Sequence, residues 1–405
     1  EMLWPVKVVM KITACKTYKF SVPVTGQSID PHTGHRLSST SKTWLFLKLE
    51  TDVGIDGWGE GSGEWLVPAV EATLQSWFPL LVDQNPLSYE ALSEDITNRL
   101  PWKGGAVFGT AVAAINMALH DIAGKAWNVP VSTLLGGARR NKIRVYDNGG
   151  LSFESPQAAR ESAEAAREKG YRAVKGNPLE TREWPMDQRA VEHSVACVAA
   201  VRDVLGDQAD ILLDTHGSPT PELSLELARN VAPYRPLFLE EPVKLGSLDA
   251  LMELSSKSPV PIATGEKLFS FLDFKELIDR RACAFLQPDL NHCFGISTLV
   301  EIAKLANYQQ MLMAPHNASG PICTAATLAV DAVMNNFLIQ ETSSHYISMF
   351  NQYVDHDMVV EEGHIQLSQR PGLGIEVKED VVAKAPYEEM AYRQYRHSDG
   401  SWKGW

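Results

Sequence analysis

Residues 209–267 read ADILLDTHGSPTPELSLELARNVAPYRPLFLEEPVKLGSLDALMELSSKSPVPIATGEK, and this stretch decides the fold. Three short apolar runs each close on a carboxylate: Leu212-Leu213-Asp214-Thr215-His216, Leu239-Glu240-Glu241-Pro242 and Thr264-Gly265-Glu266-Lys267. Asp214 to Glu240 is 26 residues, and Glu240 to Glu266 is 26 again. That is about the length of one strand-plus-helix unit of a barrel, so the three carboxylates are expected at equivalent positions on adjacent strands. Strand ends are where barrel enzymes place their chemistry.

Outward from this stretch the alternation continues. Strands are expected at Lys142–Asn148, Tyr171–Asn177, Ala209–His216, Pro236–Pro242, Pro261–Lys267, Ala284–Asn291, Gln310–Asn317 and Asn336–Glu341. Helical periodicity fills the gaps: Ala159, Ala163 and Ala166 follow a Ser155 N-cap and Pro156 at the first helical position, and Val191, Val195 and Val198 repeat the spacing. Strands alternating with helices imply βαβ units and a parallel sheet. Eight strands with seven helices between them fit a closed α/β barrel better than an open doubly wound sheet.

Residues 10–130 differ. Strands at Lys11–Phe20 and Thr43–Thr51 precede helical stretches at Val67–Leu81, Leu87–Leu100 and Gly109–Trp127, an α+β pattern that suggests a separate domain packed on the barrel. The polar connector Gly26–Ser41 is long, and loops of that kind are often lids or binding loops, with disorder the alternative.

Bulk properties narrow the function. A chain of 405 residues exceeds what one compact core holds, and 44% apolar with 21% charged residues is ordinary globular composition. A net charge of −13 argues against a nucleic-acid surface, which rests on clustered Lys and Arg. No continuous apolar run approaches the roughly 18 residues that span a bilayer, and Glu1–Lys7 lacks the apolar core of a secretion signal. Cys15, Cys197, Cys283, Cys293 and Cys323 are odd in number without CxxC spacing, so reduced thiols and a cytoplasmic location are expected.

Polar residues recur at later strand ends: Gln287-Pro288-Asp289, Ala314-Pro315-His316 and Gln340-Glu341, with 27 residues from 289 to 316 and 25 from 316 to 341. The second strand closes on Lys175-Gly176-Asn177, a cation and an amide for a substrate carboxylate or hydroxyl. A single strand-end carboxylate is ordinarily a helix cap or surface charge, and a lone histidine is ordinarily structural; Asp289 alone could cap the next helix. Bland roles do not require the same register in six consecutive units. Three converging carboxylates repel unless a hard cation neutralises them, and all-oxygen ligands with room for water or substrate suit Mg²⁺. Asp289 beside His316 makes a dyad in which the carboxylate fixes the imidazole tautomer and raises its basicity. His120 and His193 fall in helical stretches, His32 and His35 in the polar connector, and His292 is off the register. The spacing selects Glu240 over Glu241, which is left as an ion-pairing neighbour.

The stretches LKLETDVGIDGWGE, VKGN, LLDTHG, PYRPLFLEEP, ATGEKLFSFLDFK, LQPDL, APHNASGP, IQE and RPGLGIEV run through nearly the whole chain in order. Together they resemble the mandelate racemase subgroup of the enolase superfamily, and within it the D-galactonate dehydratases. The resemblance implies a modified TIM barrel, (β/α)7β, at 140–374, and an α+β capping domain at 10–130 completed by the C-terminal tail 375–405. It implies that Asp214, Glu240 and Glu266 ligate Mg²⁺, that His316 paired with Asp289 is the general base, and that His216 is the general acid. Glu341 would donate to the forming enediolate, and Lys175 and Asn177 would contact the substrate. A homo-oligomer acting on a small sugar acid, without nucleic acid or membrane, is expected.

The implied reaction is β-elimination of water from an aldonate to a 2-keto-3-deoxy acid. D-galactonate leads, with gluconate and arabinonate open, because the segment Val22–Lys42 and the loop Gly61-Ser62-Gly63-Glu64-Trp65 depart from the galactonate dehydratase pattern. Racemisation needs a base on each face of the alpha carbon, and subgroup racemases carry Lys where this chain has Asn177. A retaining glycosidase would need two carboxylates about 5 Å apart and no metal. A non-enzymatic scaffold would not need every charged site residue.

Overall fold

The computed structural model describes residues 10–24, 41–179, 187–244, 246–390 and 399–401. Except for Ser41, the polar connector Gly26–Ser41 lies outside the described residues, as do His32 and His35.

The N-terminal part is a three-stranded antiparallel sheet, β1 (Ile12–Pro23), β2 (Ser41–Thr51) and β3 (Gly57–Glu60), backed by helices α1 (Val67–Leu81), α2 (Tyr89–Asn98) and α3 (Gly105–Trp127). A short helix, α4 (Val131–Leu134), leads out of it. Strand β3 escaped the sequence reading because Gly57-Trp58-Gly59-Glu60 is short and glycine-rich. Its glycines serve close packing, since a Cβ at Gly59 would lie 1.9 Å from the Ala114 carbonyl oxygen of α3. Helix α3 also corrects the run-length reading. By length and composition it could cross a membrane, yet 89% of its apolar window is buried inside the protein, as a core helix.

The barrel follows as β4 (Lys142–Asp147), α5 (Pro156–Glu168), β5 (Ala173–Gly176), α6 (Gln188–Leu205), β6 (Asp210–Asp214), α7 (Pro221–Val231), β7 (Phe238–Glu240) and α8 (Leu248–Lys257). It continues through β8 (Ile262–Thr264), α9 (Phe271–Arg280), β9 (Phe285–Leu286), α10 (Ile296–Tyr308), β10 (Leu312–Met313), α11 (Pro321–Val333) and β11 (Gln340–Thr342). Neighbouring strands from β4 to β10 pair in parallel, a Met313–Phe337 bridge joins β10 to the approach of β11, and β11 pairs with β4. The barrel is therefore closed. Several strands are shorter than expected, and prolines lacking an N–H interrupt the ladder just past their ends: Pro242 after β7, Pro288 after β9 and Pro315 after β10.

Helix starts follow local chemistry. The Ser155 hydroxyl accepts from the Ala158 N–H at 3.1 Å, Pro156 opens α5, and Ala159, Ala163 and Ala166 are buried against the sheet. Among the described residues two further helices follow, α12 (Ser344–Tyr353) and α13 (Glu379–Val382). Glu379 of α13 accepts from the Tyr18 hydroxyl and pairs with Lys48 at 2.8 Å, so this part of the tail rests on β1 and β2.

Strand period two sorts the barrel residues. Ile211, Leu213, Leu239 and Ile262 join the layer under the helices, whereas Tyr146, Ala173, Leu212, Phe238, Ala263, Ala314 and Ile339 form a separate apolar plug inside the barrel. That plug is the floor of the site.

Candidate active site

Because the side-chain period is two, the residue two positions past each plug residue also points inward, one layer higher. Those residues are Lys175 above Ala173, Asp214 above Leu212, Glu240 above Phe238 and Glu341 above Ile339, all buried. Asp214 and Glu240 are direct partners in the β6–β7 ladder. Glu266 departs from the expected equivalence. Glu240 is opposite Ala263, so Glu266 lies three residues further on, in the turn beyond β8. Equal spacing in sequence does not fix ladder register, because barrel strands are staggered. Glu266 still reaches the same centre, for Asp214, His216 and Glu266 each offer a ligand atom, all within 4.8 Å of one another.

One ammonium faces three buried carboxylates here. Lys175 Nζ lies 2.8 and 2.9 Å from the two Glu240 oxygens, 3.3 Å from Glu341 and 3.6 Å from Asp214. Burial disfavours the Lys175 charge, but Glu240 and Glu341 outweigh it and hold the ammonium protonated. Negative charge remains in excess: burial, followed by the Asp214 charge, raises the proton affinity of Glu240 well above the usual carboxylate range. For Asp214 burial is outweighed by His216 and Lys175, and its pKa is lowered. Glu266 is likewise lowered, burial losing to His316. Glu241 is taken by the Lys267 ammonium; burial and the Glu266 charge raise its pKa to about 7. Excess buried negative charge among oxygen donors is what a hard cation relieves, so these residues fit a metal ion. In this geometry both Glu240 oxygens are engaged by Lys175, while Asp214, His216 and Glu266 make the tightest ligand group.

The two histidines stand on the third and seventh of eight strands, across the barrel mouth from one another. His316 Nδ1 is 2.6 Å from Asp289 Oδ2, the two residues bridge in parallel, and Nε2 faces Glu266 at 3.6 Å and Glu341 at 3.7 Å. Burial opposes its protonation, but Glu341, Glu266 and Asp289 prevail and raise its pKa well above the ordinary histidine value. His216 has a left-handed φ of 49°, its N–H donating to Asp214 at 3.0 Å and its Nε2 2.9 Å from the same carboxylate. Such strain is characteristic of functional positions. Burial would lower its pKa, yet Asp214 raises it to about 9. Asn177 sets its Nδ2 3.2 Å from His216 Nδ1 and accepts from the Leu179 N–H at 2.9 Å, which places it as the partner of that imidazole.

Above these groups lies a cavity of about 830 Å³, roofed in part by Lys42, which ends the segment 22–42, and by the loop 61–65, the two stretches that depart from the galactonate dehydratase pattern. Lys42, Glu64 and Trp65 line it from the N-terminal domain, with Thr110 from α3 and His292 from beyond β9. Buried Glu60, at the end of β3, accepts from the N–H groups of Gly320 (2.5 Å), Ile322 (3.1 Å) and Cys323 (3.0 Å), and from the Ser62 hydroxyl (2.6 Å). It thereby caps α11 and braces the segment that carries His316. Lys42 donates to the Ala318 carbonyl of the same segment. These contacts join residues about 260 positions apart, for which no periodic signal exists. His120 and His193 are structural as expected, their rings bonded to the carbonyls of Asn116 and Phe153 at 2.8 Å. All five cysteines are free.

Comparison with known proteins gives the family of the chain. Residues 18–136 match the mandelate racemase / muconate lactonizing enzyme N-terminal domain, and residues 157–381 match the enolase C-terminal domain-like family. The chain is 36% identical over 370 residues to D-galactonate dehydratase of Variovorax paradoxus (strain S110), covering 89% of this chain and 96% of that one. The same figures hold for D-galactonate dehydratase of Ralstonia pickettii (strain 12J). Among solved structures, a mandelate racemase/muconate lactonizing enzyme-like protein from Roseovarius sp. TM1035 superposes with a TM-score of 0.82 at 29% identity, covering 93% of this chain and 96% of that one. An enolase from Agrobacterium radiobacter, with bound Na and L-malate, superposes with a TM-score of 0.83 at 26% identity, covering 97% and 99%.

Proposed function

Because this chain belongs to the enolase superfamily, we propose that it is a Mg²⁺-dependent dehydratase that eliminates water from an aldonate, with D-galactonate the leading substrate. The observation that carries this reading is the pair of histidines facing each other across the mouth above an arc of buried carboxylates.

Asp214, Glu240 and Glu266 would hold the metal. Bound there, Mg²⁺ would supply charge stabilisation for the substrate carboxylate and neutralise part of the negative charge that keeps a proton on His316. Every other task falls to the chain. His316, oriented by Asp289, takes the C2 proton. Lys175 and Glu341, buried beside the carboxylate arc, stabilise charge developing on the substrate carboxylate. His216, held by Asn177 on the opposite side, gives a proton to the departing C3 hydroxyl. The enol left behind tautomerises to the 2-keto-3-deoxy acid.

Racemisation is the runner-up, and Asn177 disfavours it: its amide holds His216 and offers no second base. Gluconate and arabinonate remain the nearest alternatives as substrates. The test is a panel of aldonates and aldarates incubated with Mg²⁺ and assayed for 2-keto-3-deoxy acid. Product from an aldonate, abolished by EDTA, is expected. No keto product from any acid, or undiminished turnover in chelator, would refute the reading.

A further inference from the structure

We propose that His292 is a specificity-determining residue that binds a hydroxyl of the substrate chain beyond C3. The inference rests on the dehydratase reading for its carbon numbering and on the geometry of the cavity for the rest. The His292 ring lines the cavity with 21% of its side chain exposed. Its two nitrogens have different duties. Nδ1 lies 2.8 Å from the hydroxyl of Thr110, a buried residue of α3, and that bond fixes the ring's rotation. Nε2 makes no hydrogen bond among the described residues, because Asp289 Oδ2, its nearest charged neighbour, is 3.9 Å away. An imidazole nitrogen with no hydrogen-bond partner among the described residues, on a partly exposed ring held by its other nitrogen, is suited to meet a ligand.

The backbone under this ring is also bonded and closely packed. The His292 N–H donates to the Asp289 carbonyl at 3.0 Å, and a Cβ at Gly109 of α3 would come within 2.3 Å of the His292 carbonyl oxygen. The capping helix therefore packs directly on the His292 peptide, and the binding atom is set before substrate arrives, which lowers the ordering cost of binding.

Position defines what Nε2 meets. Asp289 Oδ2 lies 2.6 Å from His316 Nδ1 and 3.9 Å from His292 Nε2, so the two imidazoles share one carboxylate oxygen as neighbour. A substrate with its C2 hydrogen at His316 and its carboxylate toward Lys175 extends the remainder of its chain over Asp289 toward His292. An imidazole nitrogen, donor or acceptor according to tautomer, matches a neutral hydroxyl. On the capping side of the cavity the Lys42 ammonium is paired with Glu64 at 3.3 Å. A polyhydroxy chain with an uncharged far end is the class that fits.

The test compares a long and a short acid on His292→Phe, which keeps a ring and removes both nitrogens, and on Thr110→Val, which only releases the ring. Calorimetric affinities with Mg²⁺ are measured for the hexonate that binds best among D-galactonate and D-gluconate, and for glycerate, which has no carbon beyond C3. His292→Phe should weaken hexonate binding and raise KM about tenfold, the worth of one hydrogen bond, and leave glycerate affinity within about twofold. Thr110→Val should show the same pattern at a smaller size, even if His292→Phe folds poorly. Equal losses for both acids would make His292 a structural support. A fall in kcat and in C2 deuterium exchange at unaltered hexonate affinity would make it a partner of the Asp289–His316 dyad. Either result overturns the proposal. Failure of the dehydratase reading is separate: it shows as wild-type protein giving no keto acid, while the calorimetric comparison still decides the role of His292.

Discussion

The barrel mouth and the capping wall border one cavity, yet they reach it by different physics. At the mouth, a strand of period two lifts each polar side chain one layer above an apolar plug, so Lys175, Asp214, Glu240 and Glu341 stand where Ala173, Leu212, Phe238 and Ile339 place them. On the wall, Lys42, Glu64 and Thr110 arrive from a strand, a short 3-10 turn and a helix that share no period, braced from behind by Glu60. The mouth is rich in uncompensated negative charge and suits a metal and proton transfer. The wall is paired and hydrogen-bonded, and suits holding shape against a substrate. On the proposed function, the difference assigns the chemistry to the repeating unit and the selection of substrate to the part that does not repeat.

The comparison can be broken most forcefully at the mouth. Glu266→Gln should lose Mg²⁺ affinity and at least about a thousandfold in turnover, because the metal supplies much of the charge stabilisation. Its melting temperature should fall modestly while the barrel stays folded, since the ionised Glu266 carboxylate is favoured by the His316 charge that the amide no longer meets. Turnover that survives this change, measured beside a Mg²⁺ titration, would remove the carboxylate arc from the mechanism.

A smaller effect is expected where wall and mouth join. Glu60→Gln turns an acceptor of four donors into an amide whose NH₂ faces N–H groups, at a cost of about 1–3 kcal/mol in stability for the buried donors left unpaired. Because Glu60 braces the segment after His316, kcat should fall about tenfold at 25 °C, well below the unfolding transition. Thermal melts beside steady-state kinetics check this. A lowered melting temperature with full kcat would mean that Glu60 supports the fold without positioning the base.

This division also explains what could be read from the sequence. Eight strands with seven helices between them, the Ser155 cap and the pairing of Asp289 with His316 follow from short-range periodicity and one-unit steps, and all are present. The ladder position of Glu266 was misjudged because stagger between strands leaves no mark on spacing. Strand β3 was missed because its glycines, needed against α3, imitate a turn. His292 was set aside for lying off the register, yet its role depends on a hydroxyl 182 residues earlier in the chain. Glu60 likewise acts on N–H groups at least 260 residues away, and such contacts exist only once both domains are folded together.

The central claim is that two histidines on opposite sides of the mouth divide the proton transfers between them. Proton NMR of recovered substrate in D₂O tests it most directly, using His216→Asn and His316→Asn with Mg²⁺ and the aldonate that wild-type protein dehydrates. His216→Asn should form little keto acid yet still wash deuterium into C2, because His316 and its Asp289 partner are intact. His316→Asn should lose both exchange and dehydration, since Asn177 offers no second base. Exchange that survives in His316→Asn would place the base elsewhere and contradict the account.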